Sequence, residues 1–481
     1  MKIYLLNPPF VENFVRCGRW QGAAARSGGL DYPKWLAYSA AQLEDEYDIR
    51  LVDAPARHLS HEEVIADVKA YSPDIIIAET NFSSMSNDSG FLSTLKKETG
   101  AYTILTGPPI AQYAERLLEN DGVDIVVWYE YDFIVKQIVD AIAKGDDISQ
   151  IPSISFKSDG LVVTTAPGDL STSEDLERLP FVSKIYKEHL QISDYFLSQT
   201  LYPEVQIFTG RGCPFHCTFC SWPENLMGRV YRSRSAKSIV DEFEYISKEL
   251  PEVKEIFIED DTFTINKKLV LEVCNEIHAR NLSPVWSCNA RATLDYETMA
   301  SMKKAGCRLL IVGYESGNEE ILKTIRKGET KEQMRQFTKA AKKAGLMIHA
   351  DFIIGLPGET KETAKETLDF INEIRPNVVQ IAVATPLPGT VFYSWVKENG
   401  YLLVDDIEQS VDKDGYQKCI ISYPEFSSDE IQSTVNKALK GYYLNVRYIP
   451  VALSNIFRKN GFGELKIMLR SMISFLKYVG N

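Results

Sequence analysis

Thr209-Gly-Arg-Gly-Cys213-Pro-Phe-His-Cys217-Thr-Phe-Cys220-Ser-Trp222 decides how the rest of this chain reads. Three thiols spaced C-x3-C-x2-C follow directly on a short apolar run, Val205 to Phe208, that reads as a strand. One tight loop then aims three soft ligands at a single point, which suits an iron–sulfur cluster. A cubane has four irons, so three cysteines leave one without a protein ligand. An open position of this kind belongs to catalytic rather than structural metal sites. The alternative is a zinc knuckle that recruits His216 or His278 as its fourth ligand.

Outward from that loop, residues 201 to about 400 carry six strand-and-helix units. The strands are expected at Val205–Thr209, Glu255–Glu259, Val285–Asn289, Arg308–Gly313, Met347–Ile354 and Val378–Ala384, with helical segments between them. Six such units make a partial (β/α)6 barrel, whose chemistry sits at the carboxyl ends of the strands. Residues 1–150 alternate in the same way, with strands expected near Lys2–Asn7, Asp48–Asp53, Asp74–Thr80, Tyr102–Gly107 and Asp124–Trp128. That pattern predicts an α/β, doubly wound, Rossmann-like parallel sheet. Its strand ends carry Asn7-Pro-Pro9, Asp53-Ala-Pro, Thr80-Asn-Phe, Thr106-Gly107-Pro-Pro and Tyr129-Glu130-Tyr, none of them a G-x-G-x-x-G. Residues 151–200 read as a connector with a β-hairpin at Ser158-Asp-Gly, followed by a polar linker over Asp169–Glu177.

A chain of 481 residues exceeds what one core serves, and 44% hydrophobic with 25% charged residues is ordinary for a globular protein. A net charge of −13 argues against a general nucleic-acid binder. Eight cysteines in so long a chain make no disulfide framework, and a reduced, cytoplasmic setting follows. No apolar run is long enough to span a membrane. Residues 401–481 form a helical region of different character: from Ile431 onward there are eight Lys/Arg and a single acidic residue, Glu464. Apolar residues, among them Leu465, Met468, Leu469, Met472, Ile473, Phe475 and Leu476, recur there at helical spacing. Two readings stand side by side: a basic amphipathic helix in peripheral membrane contact, or a helix packed on the barrel with a solvated basic face.

The cysteine spacing with its flanking aromatics, Phe219 included, resembles the radical S-adenosyl-L-methionine (SAM) signature. The resemblance implies a [4Fe–4S] cluster on Cys213, Cys217 and Cys220, SAM at the open iron, and an external electron donor such as flavodoxin or ferredoxin. It implies cleavage of SAM to a 5′-deoxyadenosyl radical that takes hydrogen from an unactivated carbon. On that footing Glu259 and Asp260 meet SAM's ammonium or substrate hydroxyls, unless Asp261 or Thr262 there simply caps a helix. Arg291, close to Asn289, pairs with the SAM carboxylate. Gly313-Tyr-Glu315-Ser316-Gly317 resembles the G-x-E-x-G element at SAM's methionyl end, and the loop at Gly355 lies against the adenine.

An α/β domain ahead of such a core looks like the cobalamin-binding domain of the B12-dependent radical SAM class. That implies cobalamin between the two domains, near Pro9, Thr80, Gly107 and Glu130. The D-x-H-x-x-G element of other B12 proteins is absent, since Asp53 and His58 lack its spacing; a domain kept only for substrate or partner contact is the alternative. Tyr32-Pro-x-Trp35, Arg229-x-Tyr-Arg-x-Arg-Ser235 and Trp286-Ser-Cys-Asn are similar to the radical SAM proteins of hopanoid biosynthesis. This finer likeness implies a rearranging, ring-contracting enzyme acting on a lipid-linked or other small-molecule substrate. A cobalamin-dependent C-methyltransferase is the alternative within the superfamily, and an iron–sulfur electron carrier is the alternative outside it.

Overall fold

Runs of Ile, Val and Leu too apolar to face water on either side form the first sheet. The computed structural model, which describes residues 1–18, 22–107, 111–457 and 461–480, places them as β1 (Lys2–Asn7), β2 (Asp48–Asp53), β3 (Ile75–Glu79), β4 (Tyr102–Thr106) and β5 (Ile125–Val127). They are parallel and lie in the order β2-β1-β3-β4-β5. The sheet is doubly wound as expected, but its order is the flavodoxin-like one, which reverses between β1 and β3. Helices α1 (Lys34–Leu43) and α5 (Tyr131–Lys144) share a core with one face, while α2 (His61–Tyr71), α3 (Met85–Thr99) and α4 (Ala114–Glu119) share a core with the other. The hairpin β6 (Ile154–Ser158) and β7 (Leu161–Thr164) turns through Asp159 and Gly160, both at positive φ. It pairs antiparallel with β5 and so extends this sheet. Pro108 and Pro109 lie outside the described residues.

Helices α6 (Ser173–Arg178), where a polar linker was expected over Asp169–Glu177, and α7 (Val182–His189) lead into the second sheet. Its strands β8 (Glu204–Ile207), β9 (Glu255–Ile258), β10 (Trp286–Ala290), β11 (Cys307–Glu315), β12 (Met347–Ile354) and β13 (Val378–Val383) are parallel and in sequence order, as a half barrel requires. The outer helices are α8 (Ala236–Glu249), α9 (Lys267–Ala279), α10 (Tyr296–Lys304), α11 (Glu319–Thr324), α12 (Lys331–Ala344) and α13 (Lys361–Ile374). Each starts where a side chain caps it: Ser235, Asn266, Asp295, Asn318, Thr330 and Thr360 accept from free backbone N–H groups.

The two sheets meet through α1. Tyr32 donates its hydroxyl to the Glu204 carbonyl (2.8 Å), and buried Lys34 donates to Gln206 Oε1 (2.8 Å). C-terminal helices α14 (Val391–Glu398), α15 (Ser428–Tyr443), α16 (Ile449–Ile456) and α17 (Gly461–Gly480) complete the chain. Helix α15 covers the exposed edge of β13, where the Tyr443 hydroxyl accepts from Val379 N (2.9 Å) and donates to Val379 O (2.7 Å). Helix α17 docks at the opposite, amino end of the strands: Glu464 pairs with buried Arg308 (2.6 Å), Ile467 packs with Phe196 and Leu201, and the Arg470 guanidinium lies 4.0 Å from the Phe196 ring centroid. Its described part is therefore packed on the barrel. The side chains of Ile473, Phe475 and Leu476 lie outside the described residues. Among the described residues no helix is long and apolar enough to cross a membrane.

Candidate active site

The cysteine loop is held from below by two neighbouring carboxylates with different partners. Asp260 accepts from Thr209 N (2.6 Å), Thr209 Oγ1 (2.6 Å) and Tyr231 Oη (3.0 Å), and Asp261 accepts from Gly212 N (3.0 Å). Burial lifts Asp260 to about 6 despite these donors. Gly212 is at φ +89°, and a Cβ there would fall 2.1 Å from the Val230 carbonyl, so the turn into Cys213 admits only glycine. Arg211 anchors the same loop to the first domain. Its guanidinium donates to both oxygens of Asp132 (3.1 and 2.7 Å) and lies 4.6 Å from the Trp35 ring centroid.

So braced, Cys213, Cys217 and Cys220 are free thiols on the wall of one cavity of about 670 Å³. Burial pushes the Cys213 and Cys220 thiols up, with nearby charges of Asp261 and Cys217 adding to it. Metal ligation needs the thiolate, so a bound cation must offset that cost. The donor set fits a three-cysteine cluster. His216 and His278, the fourth ligands a zinc knuckle needs, are exposed and do not line the cavity.

Next to the thiols lies a buried quartet of two cations and two anions. Lys327 Nζ is 3.0 Å from Glu315 Oε1 and 3.9 Å from Glu329 Oε2, while Arg291 Nε is 3.1 Å from Glu329 Oε1. Arg291 reaches to 4.0 Å from Cys217 Sγ, and its guanidinium stacks 3.6 Å from the Phe215 ring centroid. Burial lowers Lys327, but Glu315 and Glu329 more than reverse this and carry it to about 12; burial raises Glu315. Glu315 itself sits at φ +66°, and its side chain folds back over Gly313, where a Cβ would meet Glu315 Oε1 at 2.2 Å. Strain of that kind at a non-glycine residue gathers at functional sites.

Of the residues expected at the site, Phe219, Glu259, Asn289, Arg291, Gly313 and Glu315 line the cavity with the cysteines. Asp260 does not, since its carboxylate is spent on the loop and Asn289 donates to its carbonyl (3.0 Å). Thr262 stands at the N-cap of a short 3-10 turn, Phe263–Ile265, without a side-chain cap bond, and Asn266 caps α9. Ser316 is turned to Thr367 of α13 (3.1 Å). Gly355 lies under the C-terminal region, receiving the Tyr423 hydroxyl (2.7 Å) and packing on Ile431, and its neighbour Leu356 lines the cavity instead.

None of the four residues expected to meet cobalamin lines this cavity, and each is engaged within the protein. The Pro9 carbonyl accepts from Asn87 (2.9 Å), and Thr80 donates to Asp88 (2.7 Å). Gly107 lets its strand end pass the Thr80 carbonyl, which a Cβ would approach to 2.0 Å. Glu130 makes a bidentate pair with Arg232 (2.9 and 3.0 Å), a strut between the domains. The first domain's contribution to the cavity comes instead from the loop after β1, with Val15, Gly18, Ala23, Ala24, Arg26 and Gly29. Its small-residue run Ala23-Ala-Ala was the available signal, as the charges flanking Gly328 were for Lys327 and Glu329.

A doubly wound domain feeding a six-strand half barrel, with three free thiols on the loop after the first barrel strand, is the build of a radical SAM enzyme. The family model of the radical SAM superfamily matches residues 207–371. An uncharacterized methyltransferase of Pyrococcus horikoshii is 30% identical over 96% of this chain and 96% of its own length. The chain belongs to the radical SAM superfamily, whose members use a [4Fe–4S] cluster and SAM. The anaerobic magnesium-protoporphyrin IX monomethyl ester cyclase of Rubrivivax gelatinosus is 28% identical, over 95% of this chain and 82% of its own. Among solved structures, the radical SAM methyltransferase TsrM from Kitasatospora setae, with cobalamin and a [4Fe–4S] cluster bound, shares the fold. Its TM-score is 0.71 at 17% identity, over 98% of this chain and 99% of that one.

Proposed function

We propose that this chain is a cobalamin-associated radical SAM enzyme that transfers a methyl group to an unactivated carbon of a small molecule. One observation carries the proposal: a single cavity is walled by the three cysteines and by the small-residue loop of the cobalamin-type domain. Glycines and alanines on that wall let a broad, flat group lie against backbone, so the residues fit cobalamin there. Cluster and SAM together supply one-electron cleavage chemistry when bound, and cobalamin supplies a methyl carrier. The protein's own share is placement. Cys213, Cys217 and Cys220 hold iron, Arg291 and Lys327 offer cations to a carboxylate, Glu315 and Glu329 hold those cations in place, and the surrounding apolar wall excludes water.

The names of the Pyrococcus relative and of the Kitasatospora structure support methyl transfer over the ring contraction expected from sequence. The cyclase relative favours a second reading, rearrangement of a carbon skeleton without methylation. Incubation with methyl-labelled SAM and extracts of the native host separates them: label in a small-molecule product supports methyl transfer, and turnover of SAM without labelled product defeats it. An external one-electron donor completes the proposal. Peripheral membrane contact draws its support from Val446 and Phe457, 76% and 82% exposed, in a C-terminal region that also carries exposed Lys437 and Lys440. Sedimentation with anionic liposomes that survives Val446→Asp together with Phe457→Asp would remove that part.

A further inference from the structure

Below the charged quartet the barrel carries a second inward-facing polar set that the proposed chemistry leaves unused. We propose that His349 and Asp351 form a substrate-binding pair, taking a hydroxyl or amino donor on an amphiphilic substrate whose apolar body runs down the barrel toward α17. This rests on the cavity being the substrate site but on no particular reaction there.

Alternation along β12 turns residues 349, 351 and 353 inward, and all three line the cavity. Strand register fixes their depth. His349 stands beside Ile311 and Val378, and Asp351 beside Gly313 and Gln380, deeper in the barrel than Glu315. His349 is 3% exposed, yet neither ring nitrogen has a hydrogen-bond partner, and Asp351 Oδ1 has none either. Nε2 and Asp351 Oδ1 approach to 3.1 Å, an ion pair when the ring is protonated but without the alignment of a hydrogen bond, and Nδ1 is left with no partner among the described residues. Buried polar atoms left unmatched are costly and rare, so a pair of them facing a cavity asks for a ligand. Above them, Lys327 and Glu315 already engage each other. Beside Asp351 on β13, Gln380 presents its side chain uncovered to the cavity. Deeper still the lining turns mainly apolar, through Phe257 and Leu197 to Leu465, Met468 and Met472 of α17, with Ser198, Gln199 and Ser471 as its polar members. Methionine side chains there adapt to a chain of no fixed shape. A polar collar above an apolar basin matches a donor-bearing head with a hydrocarbon body.

The test uses the full chain, reconstituted anaerobically, and equilibrium dialysis with three labelled probes kept below their solubility limits. These are 1-dodecanol, dodecylamine and 1-methoxydodecane, which lacks a donor. The expected result is saturable binding of the alcohol or the amine at one site, about tenfold tighter than the ether. Whichever of the two binds tighter identifies the donor. His349→Gln and Asp351→Asn should each reduce that preference to about twofold or less while leaving ether binding unchanged. The wild-type comparison needs no variant and so stands if either substitution fails to fold. Ether binding equal to alcohol and amine, absence of saturable binding, or folded variants that keep the full preference would overturn the proposal. Intact binding with no methyl label in any product would instead fell the proposed function and leave this pair standing.

Discussion

Replacing Arg211 with methionine should unfasten the cysteine loop from the first domain. The guanidinium is fully buried, donates twice to Asp132 and lies 3.7 Å from Glu130. Burial already outweighs the pull of Arg211, holding the Asp132 carboxyl above its ordinary range. Without the arginine that carboxylate is stranded, and breaking a buried pair from one side costs about 3–5 kcal/mol. Asp132→Asn alone leaves the arginine only Glu130, at 3.7 Å, and should cost less than Arg211→Met. The double variant strands neither partner, because Glu130 keeps Arg232, so its cost should fall short of the sum by about 2 kcal/mol or more. Urea unfolding of the four proteins at pH 7, followed by circular dichroism, measures the cycle. Lowering the pH should shrink the Arg211→Met penalty, since a neutral Asp132 needs no counter-ion. Arg211→Met within about 0.5 kcal/mol of wild type, or strictly additive costs, would refute the strut.

Two further outcomes are expected. Gly313→Ala drives a Cβ into Glu315 Oε1 and should dislodge it from Lys327; SAM affinity by equilibrium dialysis should fall about tenfold, worth about 1.4 kcal/mol, with iron content unchanged. Glu359 is buried against Gly355 and Leu356 and pushed up to about 8. The folded chain therefore keeps its proton up to about pH 8 while the unfolded chain releases it near 4.3. Its stabilising effect is complete below that lower value and is lost as pH rises toward 8, at about 1.4 kcal/mol per unit. Glu359→Gln should flatten thermal stability between pH 5 and 8 relative to wild type, and parallel profiles would count against the assignment.

The fold was legible because both sheets are buried on their faces, so their strands stand out as apolar runs between helical segments. The thiols were legible because three ligands sit within one loop. What sequence hides is which neighbour in a pair turns inward. Glu259 and Asp261 line the cavity while Asp260, between them, points at Thr209, a distinction that strand parity settles only once register is known. Polar strand ends were equally ambiguous: nothing in the sequence around Glu130 announces its bidentate pair with Arg232 across the domain junction. Ala23-Ala-Ala is too short a run to announce itself, because small side chains act through the space they leave. Lys327 and Glu329 gain meaning only when α11 and α12 bring Gly328 back beside Arg291.

On the proposed reading, Cys213, Cys217 and Cys220 grip a cubane with one iron left free for SAM. Iron and sulfide analysis of the anaerobically reconstituted chain, joined to its reduced EPR spectrum with and without SAM, tests this most directly. About four irons per chain and a signal that changes on adding SAM are predicted, with both lost in Cys217→Ala. A single zinc, or a cluster whose spectrum ignores SAM, would rule that site out.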